Sequence, residues 1–191
     1  MTTCYQHAAG NAPQTTMVII KHYSLQRKEN SEVFYVRSME TLPCPFCDGT
    51  FKVIGSRPRI LFRQDGSTIH LMIRRLQCRA CSRISHELPD FVVPFKRYEA
   101  ETIADALSST PSADTSCCPC EDSTIRRWKL WFFFLRDYLE GSVRALMELW
   151  KCQAFVRLPL YPLGSQAAGW LNTLVRNLVN SGRWRQTCSV C

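Results

Sequence analysis

The chain has 191 residues, 46% of them hydrophobic and 21% charged, so it can build a core and is neither collagen-like nor wholly disordered. Its formal net charge of +8 favours a polyanionic partner. The longest apolar runs, at residues 17–20 and 131–135, are far shorter than the ~18 residues of a membrane span, and the N-terminus lacks a secretory-signal pattern. We therefore expect a cytoplasmic protein without membrane contact, whose eleven cysteines are metal ligands or buried thiols.

The first half of the chain carries short strand signals. β-prone or alternating apolar residues predict strands at 17–20, 33–36, 59–63, 69–74 and 84–88. The dipeptide Asp65-Gly66 predicts a hairpin turn between the third and fourth of these strands. The polar stretch at 24–31 separates the first two strands and carries no strand prediction.

From residue 98 onward the pattern becomes helical. Apolar residues at three- and four-residue steps predict helices at 99–107, from Asp122 or Ser123 to a break or bend at Gly141, at 143–155, and at about 166–179. A Ser/Thr/Pro-rich stretch at 108–120 predicts a loop. The aromatic run Trp131-Phe132-Phe133-Phe134 is expected in the core, with an oligomer contact as the alternative.

Two CxxC pairs, Cys44-Pro45-Phe46-Cys47 and Cys78-Arg79-Ala80-Cys81, are separated by 30 residues. Two cysteines three apart on a tight turn can aim both sulfurs at one ion, and the predicted hairpin brings the two turns together. Gly49 is expected to supply a positive φ after the first turn. The spacing predicts one structural Zn²⁺ ion held by Cys44, Cys47, Cys78 and Cys81, with no open position for catalysis.

The nearby histidines and four of the other cysteines are expected to lie outside this site. His70 and His86 lie on alternating strand faces and are expected to be surface or packing residues. The spacings Cys117 with Cys120 and Cys188 with Cys191 are expected to hold free or oxidisable thiols, with a second zinc site as the alternative.

Positive charge is concentrated around the CxxC pairs. Between residues 44 and 83, eight basic residues stand against only Asp48 and Asp65. Arginine donates bidentately to phosphate oxygens, so this stretch is a candidate nucleic-acid surface, with an ordinary solvated surface as the alternative. The candidate residues are Arg59, Arg63, Arg74, Arg75 and Arg79.

The start of the long helix has the pattern of a DNA recognition helix, with small polar residues followed by basic ones. The candidates for phosphate or base contacts are Ser123, Thr124, Arg126, Arg127 and Lys129. The helix at 99–107 would precede it in a helix-turn-helix, although the connection is much longer than the usual turn of about three or four residues. A solvated amphipathic helix is the alternative.

Several of these pieces resemble a bacterial family of unknown function. They are the two CxxC pairs, Arg74-Arg75-Leu76-Gln77, Leu88-Pro89-Asp90-Phe91, Lys96-Arg97-Tyr98, residues 121–128 and Asn180-Ser181-Gly182-Arg183-Trp184, so the resemblance spans about 40–185. Members of that family carry a zinc ribbon similar to the one at the N-terminus of transposases and travel with mobile elements. The resemblance implies a DNA-binding accessory role in transposition, with the four cysteines as zinc ligands.

We therefore expect an α+β fold in which a small, hairpin-based β zinc ribbon precedes an all-α, helix-turn-helix-like region. The expected parts are an N-terminal segment with short strands (1–40), the zinc ribbon (41–95), the helix-turn-helix-like region (96–158) and a C-terminal helix with its tail (159–191).

The expected function is that of a zinc-dependent, non-catalytic DNA-binding accessory or regulatory protein of a mobile element, partnered by DNA and by a transposase or integrase. The alternative is a protein–protein adaptor that docks on a transposase or polymerase through the ribbon and the aromatic helix. Catalysis and a small-molecule substrate are not expected, because the carboxylates that a nuclease metal pair would need are scattered.

Overall fold

The computed structural model describes residues 16–27, 31–108, 119–151 and 168–184. Within them, six strands and three helices follow in chain order: β1 (Thr16–Ile20), β2 (Tyr23–Arg27), β3 (Val33–Ser38), β4 (Phe51–Phe62), β5 (Thr68–Cys78), β6 (Ile84–Pro89), α1 (Ala100–Ser108), α2 (Asp122–Trp150) and α3 (Trp170–Asn180). The six strands form one curled sheet, and the helices pack against it.

Strand β5 organises the sheet. Strand β4 pairs with it antiparallel over its whole length, from Phe51 opposite Cys78 to Phe62 opposite Thr68. Because β4 occupies one edge of β5, strands β3 and β6 share the other edge, β3 in parallel at residues 70–72 and β6 antiparallel at 75–77. Strand β1 then extends the sheet beside β6 in parallel, and β2 extends it beside β3.

The expected fold class is therefore wrong in its first part, because the CxxC hairpin is not a separate small ribbon. Its strands β4 and β5 belong to a sheet whose other members include β1, β2 and β3, from the segment expected to precede the ribbon. The physical reason is burial: Ile69, Leu71 and Ile73 of β5 are each at most 6% exposed and need a core that a two-stranded hairpin cannot supply.

The expected separate all-α region is also wrong, because the helices pack on the sheet. The Tyr98 ring lies between Phe62 at the end of β4 and Trp128 of α2, with ring centroids 5.1 and 5.0 Å away. The Asn180 side chain of α3 bonds both the N–H and the carbonyl of Ile19 in β1, each at 2.8 Å. Sheet and helices thus share one core.

The strand predictions are partly confirmed. β1, β3 and β6 lie where the β-prone runs stand, but β2 falls within the polar stretch at 24–31, of which the structure describes all but 28–30. β4 is twelve residues long, against five predicted. Its first eight residues show no apolar alternation, because most are exposed and because Gly55 and Pro58 interrupt the run. An edge strand tolerates both glycine and proline.

Helix α2 runs unbroken through Gly141, so the predicted break and the separate helix at 143–155 are wrong as far as Trp150. Leu139, Ser142 and Leu146 are buried on either side of the glycine, and this packing carries the helix past it. The helix ends at Lys151 in a left-handed conformation, and residues 152–155 lie outside the described residues. Its N-cap is Glu121, not Asp122 or Ser123.

In the described parts of the chain, no helix is both long enough and apolar enough to cross a bilayer.

We expect Gly141→Ala to raise the free energy of unfolding by about 0.5–1 kcal/mol, because alanine has the higher helix propensity. No atom lies within 4 Å of the position a Cβ would take at Gly141, so the methyl group causes no clash. Urea denaturation of the metal-loaded protein measures the change; an unchanged or lower midpoint would contradict an unbroken helix at this position.

Candidate metal centre

The four predicted cysteine ligands meet at one end of the β4–β5 hairpin. Their sulfur atoms all lie within 4.8 Å of one another. The Cys47 and Cys78 sulfurs are 3.5 Å apart, and the Cys44 and Cys81 sulfurs are 3.7 Å apart. Zn–S bonds of about 2.3 Å at tetrahedral angles put sulfurs about 3.8 Å apart, so the cluster has the dimensions of a four-thiolate site. These four cysteines could hold a metal ion.

The two CxxC turns have the same backbone construction. In the first turn the Asp48 N–H donates to the Cys44 carbonyl at 2.9 Å, and in the second the Ser82 N–H donates to the Cys78 carbonyl at 3.1 Å. The residue that closes each turn is left-handed, with φ of 56° at Asp48 and 61° at Ser82. This shared geometry turns both cysteines of each pair towards the same point.

Gly49 is required for space and not, as the sequence predicted, for a positive φ, which falls on Asp48 instead. A Cβ at Gly49 would come within 2.9 Å of the Ala80 Cβ and within 3.0 Å of the Cys78 sulfur. The first CxxC turn therefore packs directly against the second at this glycine, and any side chain there would separate them.

The thiols differ in how readily they ionise. Burial raises the pKa of Cys44 to about 12. Burial also disfavours the Cys78 thiolate, but the backbone N–H groups of Cys81 and Ala80 outweigh it and lower the pKa to about 7. The Gly49 N–H favours the Cys47 thiolate, yet burial and the neighbouring thiols leave its pKa raised. Four thiolates this close repel one another, so a bound cation would stabilise the deprotonated set.

Two further contacts attach the cluster to its surroundings. The Arg83 guanidinium lies 4.2 Å from the centroid of the Phe46 ring, which joins the outer sides of the two turns. A Cβ at Gly182, just beyond α3, would come within 3.0 Å of the Pro45 carbonyl oxygen. The metal centre is thus packed against the segment that follows α3, far from it in sequence.

Three of the predicted nucleic-acid residues on the hairpin are engaged within the protein. Arg74 forms a two-pronged ion pair with Glu87 at 2.5 and 2.7 Å, and Arg63 pairs with Glu99 at 3.3 Å. Arg59 donates to the carbonyls of Val93 and Lys96, at 3.3 and 2.7 Å. Arg75 and Arg79 have no carboxylate within ion-pair distance among the described residues.

The predicted residues of α2 lie at the other end of the hairpin from the cysteines. Helix α2 begins beside the Asp65-Gly66 turn, where a Cβ at Gly66 would lie 3.5 Å from the Pro119 Cβ. Ser123, Arg126 and Arg127 are exposed there, and Thr124 and Lys129 are half-buried. The Arg127 guanidinium donates to the Ser123 carbonyl and the Thr124 hydroxyl, at 3.2 and 3.3 Å. The structure therefore places the α2 and cysteine groups at opposite ends of β4.

Sequence reasoning missed a basic group on the sheet that includes Arg57 and His86. His86 was expected to be a surface or packing residue; it is 7% exposed, and burial followed by the charges of Arg57, Arg75 and Arg59 lowers its pKa. The spacing Arg57-x-Arg59 puts both arginines on one face of a strand, a signal that was present in the sequence.

Of the cysteines considered for a second zinc site, Cys120 lies in the described chain, whereas Cys117, Cys188 and Cys191 lie outside it.

Residues 44–128 match a domain of unknown function (DUF6431). The matched segment begins at the first cysteine ligand, contains all four, and ends at Trp128 of α2. It covers just under half of the chain and is shorter than the 40–185 over which the resemblance was expected. The comparison with curated proteins and the comparison with solved structures gave no significant match.

We expect Gly49→Ala to weaken metal binding by about 10–100-fold, the range for a residue that positions ligands without being one. The added methyl group would push against Ala80 and the Cys78 sulfur and open the cluster. Competition with a chromophoric chelator measures the affinity, and Gly141→Ala is the matched control. Equal affinities for Gly49→Ala and wild type would contradict the close packing of the turns.

We expect Arg74→Ala and Arg75→Ala to differ in stability, although the sequence assigned both arginines the same role. Loss of Arg74 leaves the Glu87 carboxylate, 4% exposed, without its partner. The cost is about 2–3 kcal/mol, at the low end for a buried pair because the Arg74 side chain is 26% exposed. Arg75→Ala breaks no ion pair between described residues and should cost much less. Thermal melts of both variants provide the comparison, and equal losses would contradict it.

Proposed function

We propose that the protein holds one structural Zn²⁺ ion through Cys44, Cys47, Cys78 and Cys81 and binds DNA as a non-catalytic accessory protein. Four cysteine ligands in a tetrahedral arrangement are typical of structural zinc, and they leave no position for a reacting water. The separations of 3.5 Å between the Cys47 and Cys78 sulfurs and of 3.7 Å between the Cys44 and Cys81 sulfurs support a tetrahedral four-thiolate zinc site. When bound, zinc would offset half of the charge of the four thiolates and join the two CxxC turns at the open end of the hairpin.

The observation that carries the DNA-binding part is unneutralised positive charge on the hairpin that the cysteines close. Eight basic residues face two acidic ones between residues 44 and 83. Arg57, Arg75 and Arg79 have no carboxylate partner in the described structure. Arg126 at the start of α2, with no ion pair there either, adds charge at the opposite end of β4. These residues would then spread positive charge along the length of β4, about 35 Å, which is close to one turn of duplex DNA.

The accessory role in transposition, with a transposase or integrase as protein partner and the cytoplasm as location, rests on the resemblance to the mobile-element family. The two parts of the proposal have different support. Zinc and DNA binding are supported by this chain's own geometry, whereas the mobile-element context is supported by the resemblance alone.

A protein–protein adaptor is the second candidate, and one specific observation favours it. Phe133 and Phe134 of α2 are 64% and 77% exposed, and Leu130 on the same side of the helix is 48% exposed. The sequence expected the aromatic run in the core, and only Trp131 and Phe132 are buried there. Exposed aromatic residues on one helix are typical of a protein contact.

We expect the zinc-loaded protein to bind duplex DNA with an affinity that falls steeply with salt, at a slope of about −0.9 in log K against log salt per phosphate contacted. Chelation of the metal should weaken binding, because the hairpin loses the closure at its cysteine end. Fluorescence anisotropy at several salt concentrations, with and without chelator, measures both effects. An adaptor would show no DNA binding in any of these conditions, and a salt-independent affinity would also contradict the proposal.

A further inference from the structure

Three basic side chains lie side by side on one face of the sheet. Arg75 of β5 is directly opposite His86 of β6 and, on its other side, directly opposite Gly55 of β4. Arg57 is two residues from Gly55 and therefore points to the same face, diagonally across from Arg75. We call Arg57, Arg75 and His86 the basic row; Arg59, two residues further along β4, lies behind it.

Among the residues that the structure describes, no carboxylate forms an ion pair with the basic row. The nearest buried carboxylate, Glu87, follows His86 in β6, so it points to the opposite face of the sheet, where it pairs with Arg74. The charges of Arg57 and Arg97 add to burial in lowering the pKa of Arg59 to about 10. The arginines are thus positive on one face, whereas the Glu87 carboxylate is paired with Arg74 on the other.

The β4 side of the row is open to solvent. A Cβ placed at Gly55 would have no atom within 4 Å, so the space beside the glycine is open. Arg57 is exposed, Arg75 is half-buried and His86 is 7% exposed, so exposure falls from β4 towards β6. Arg59 is fixed by the Val93 and Lys96 carbonyls, and its Nε is buried with no partner among the described residues. The exposed Arg57 and the half-buried Arg75 thus lie in front of the Arg59 guanidinium, which is held by protein carbonyls.

We propose that the basic row binds a phosphate group, and that in the intact system this is a phosphodiester of the DNA backbone. The guanidinium groups of Arg57 and Arg75 would each donate to phosphate oxygens, and the His86 ring would offer one further N–H. Arg59 is a positioning residue, since its NH2 group is already bound to protein carbonyls. The DNA source of the phosphate rests on the proposed function, whereas the alignment of the basic row rests on the sheet register.

The test is a double variant, Arg57→Ala with Arg75→Ala, in the zinc-loaded full chain. In anisotropy titrations with duplex DNA, we expect the affinity to fall at least about tenfold. The slope of log K against log salt should become less negative by about 0.9, the value for one phosphate contact. The matched control is Arg37→Ala with Arg144→Ala, which removes the same charge from two exposed arginines on β3 and α2. The control should keep the wild-type slope.

A second arm uses inorganic phosphate alone and follows the ring resonances of His86 by NMR. A saturable shift in wild type that the double variant lacks supports phosphate binding at the basic row, whether or not DNA binds. If the wild type binds DNA, and the double variant binds it with the same affinity and slope, this inference is overturned while the proposed function stands. If the wild type binds neither DNA nor phosphate, both are overturned.

Folding of the variants is checked independently. Zinc content and melting temperature should match wild type, because Arg57 and Arg75 make no ion pair in the described structure. Should the double alanine variant lose zinc, Arg57→Lys with Arg75→Lys keeps the charge and removes only the forked donor geometry. A folded lysine variant with undiminished DNA and phosphate binding would overturn bidentate phosphate recognition.

Discussion

The contact on which the structure depends is the meeting of two CxxC turns at one end of a long hairpin. Strands β4 and β5 pair along their whole length, and the turns at their outer ends bring four sulfurs within 4.8 Å. A Cβ at Gly49 would come too close to the second turn, so the absence of a side chain there permits the approach. A metal ion would add a cross-link between two segments about thirty residues apart, stabilising the register that places every other residue of the hairpin.

The cysteine cluster could be predicted from the sequence, whereas the sheet around it could not. The CxxC spacing and the Asp65-Gly66 turn are local patterns, and they determine which residues meet within one hairpin. The parallel pairing of β1 with β6 joins residues almost seventy apart, and that of β3 with β5 joins residues about forty apart. No local pattern encodes such a partner, so the segment before the first cysteine could be recognised as β-prone but not placed in the same sheet as the hairpin.

The sequence likewise could not predict which charged side chains are paired within the protein. The sequence shows how many arginines the hairpin carries but not which of them are neutralised, because adjacent residues on a strand face opposite sides of the sheet. Arg74 turns towards Glu87, which lies thirteen residues away, and becomes part of the protein's own packing. Arg75 turns to the other face and meets His86 and Gly55 instead. Two neighbouring residues with identical side chains therefore have different physical roles.

This division by face explains how one curled sheet can be both stable and strongly basic. The buried Arg74–Glu87 pair satisfies its own charges within the protein and contributes nothing to an external anion. The row on the opposite face has no ion-pair partner among the described residues, and it lies at the edge of the core, since Ile73, on the same face as Arg75, is 2% exposed. The pairing of β5 with β4 and β6 sets Arg75 opposite Gly55 and His86, and a metal ion at the cysteines would stabilise this alignment from the end of the hairpin. The metal centre would therefore act on an anion through the alignment of these strands, without touching the anion itself.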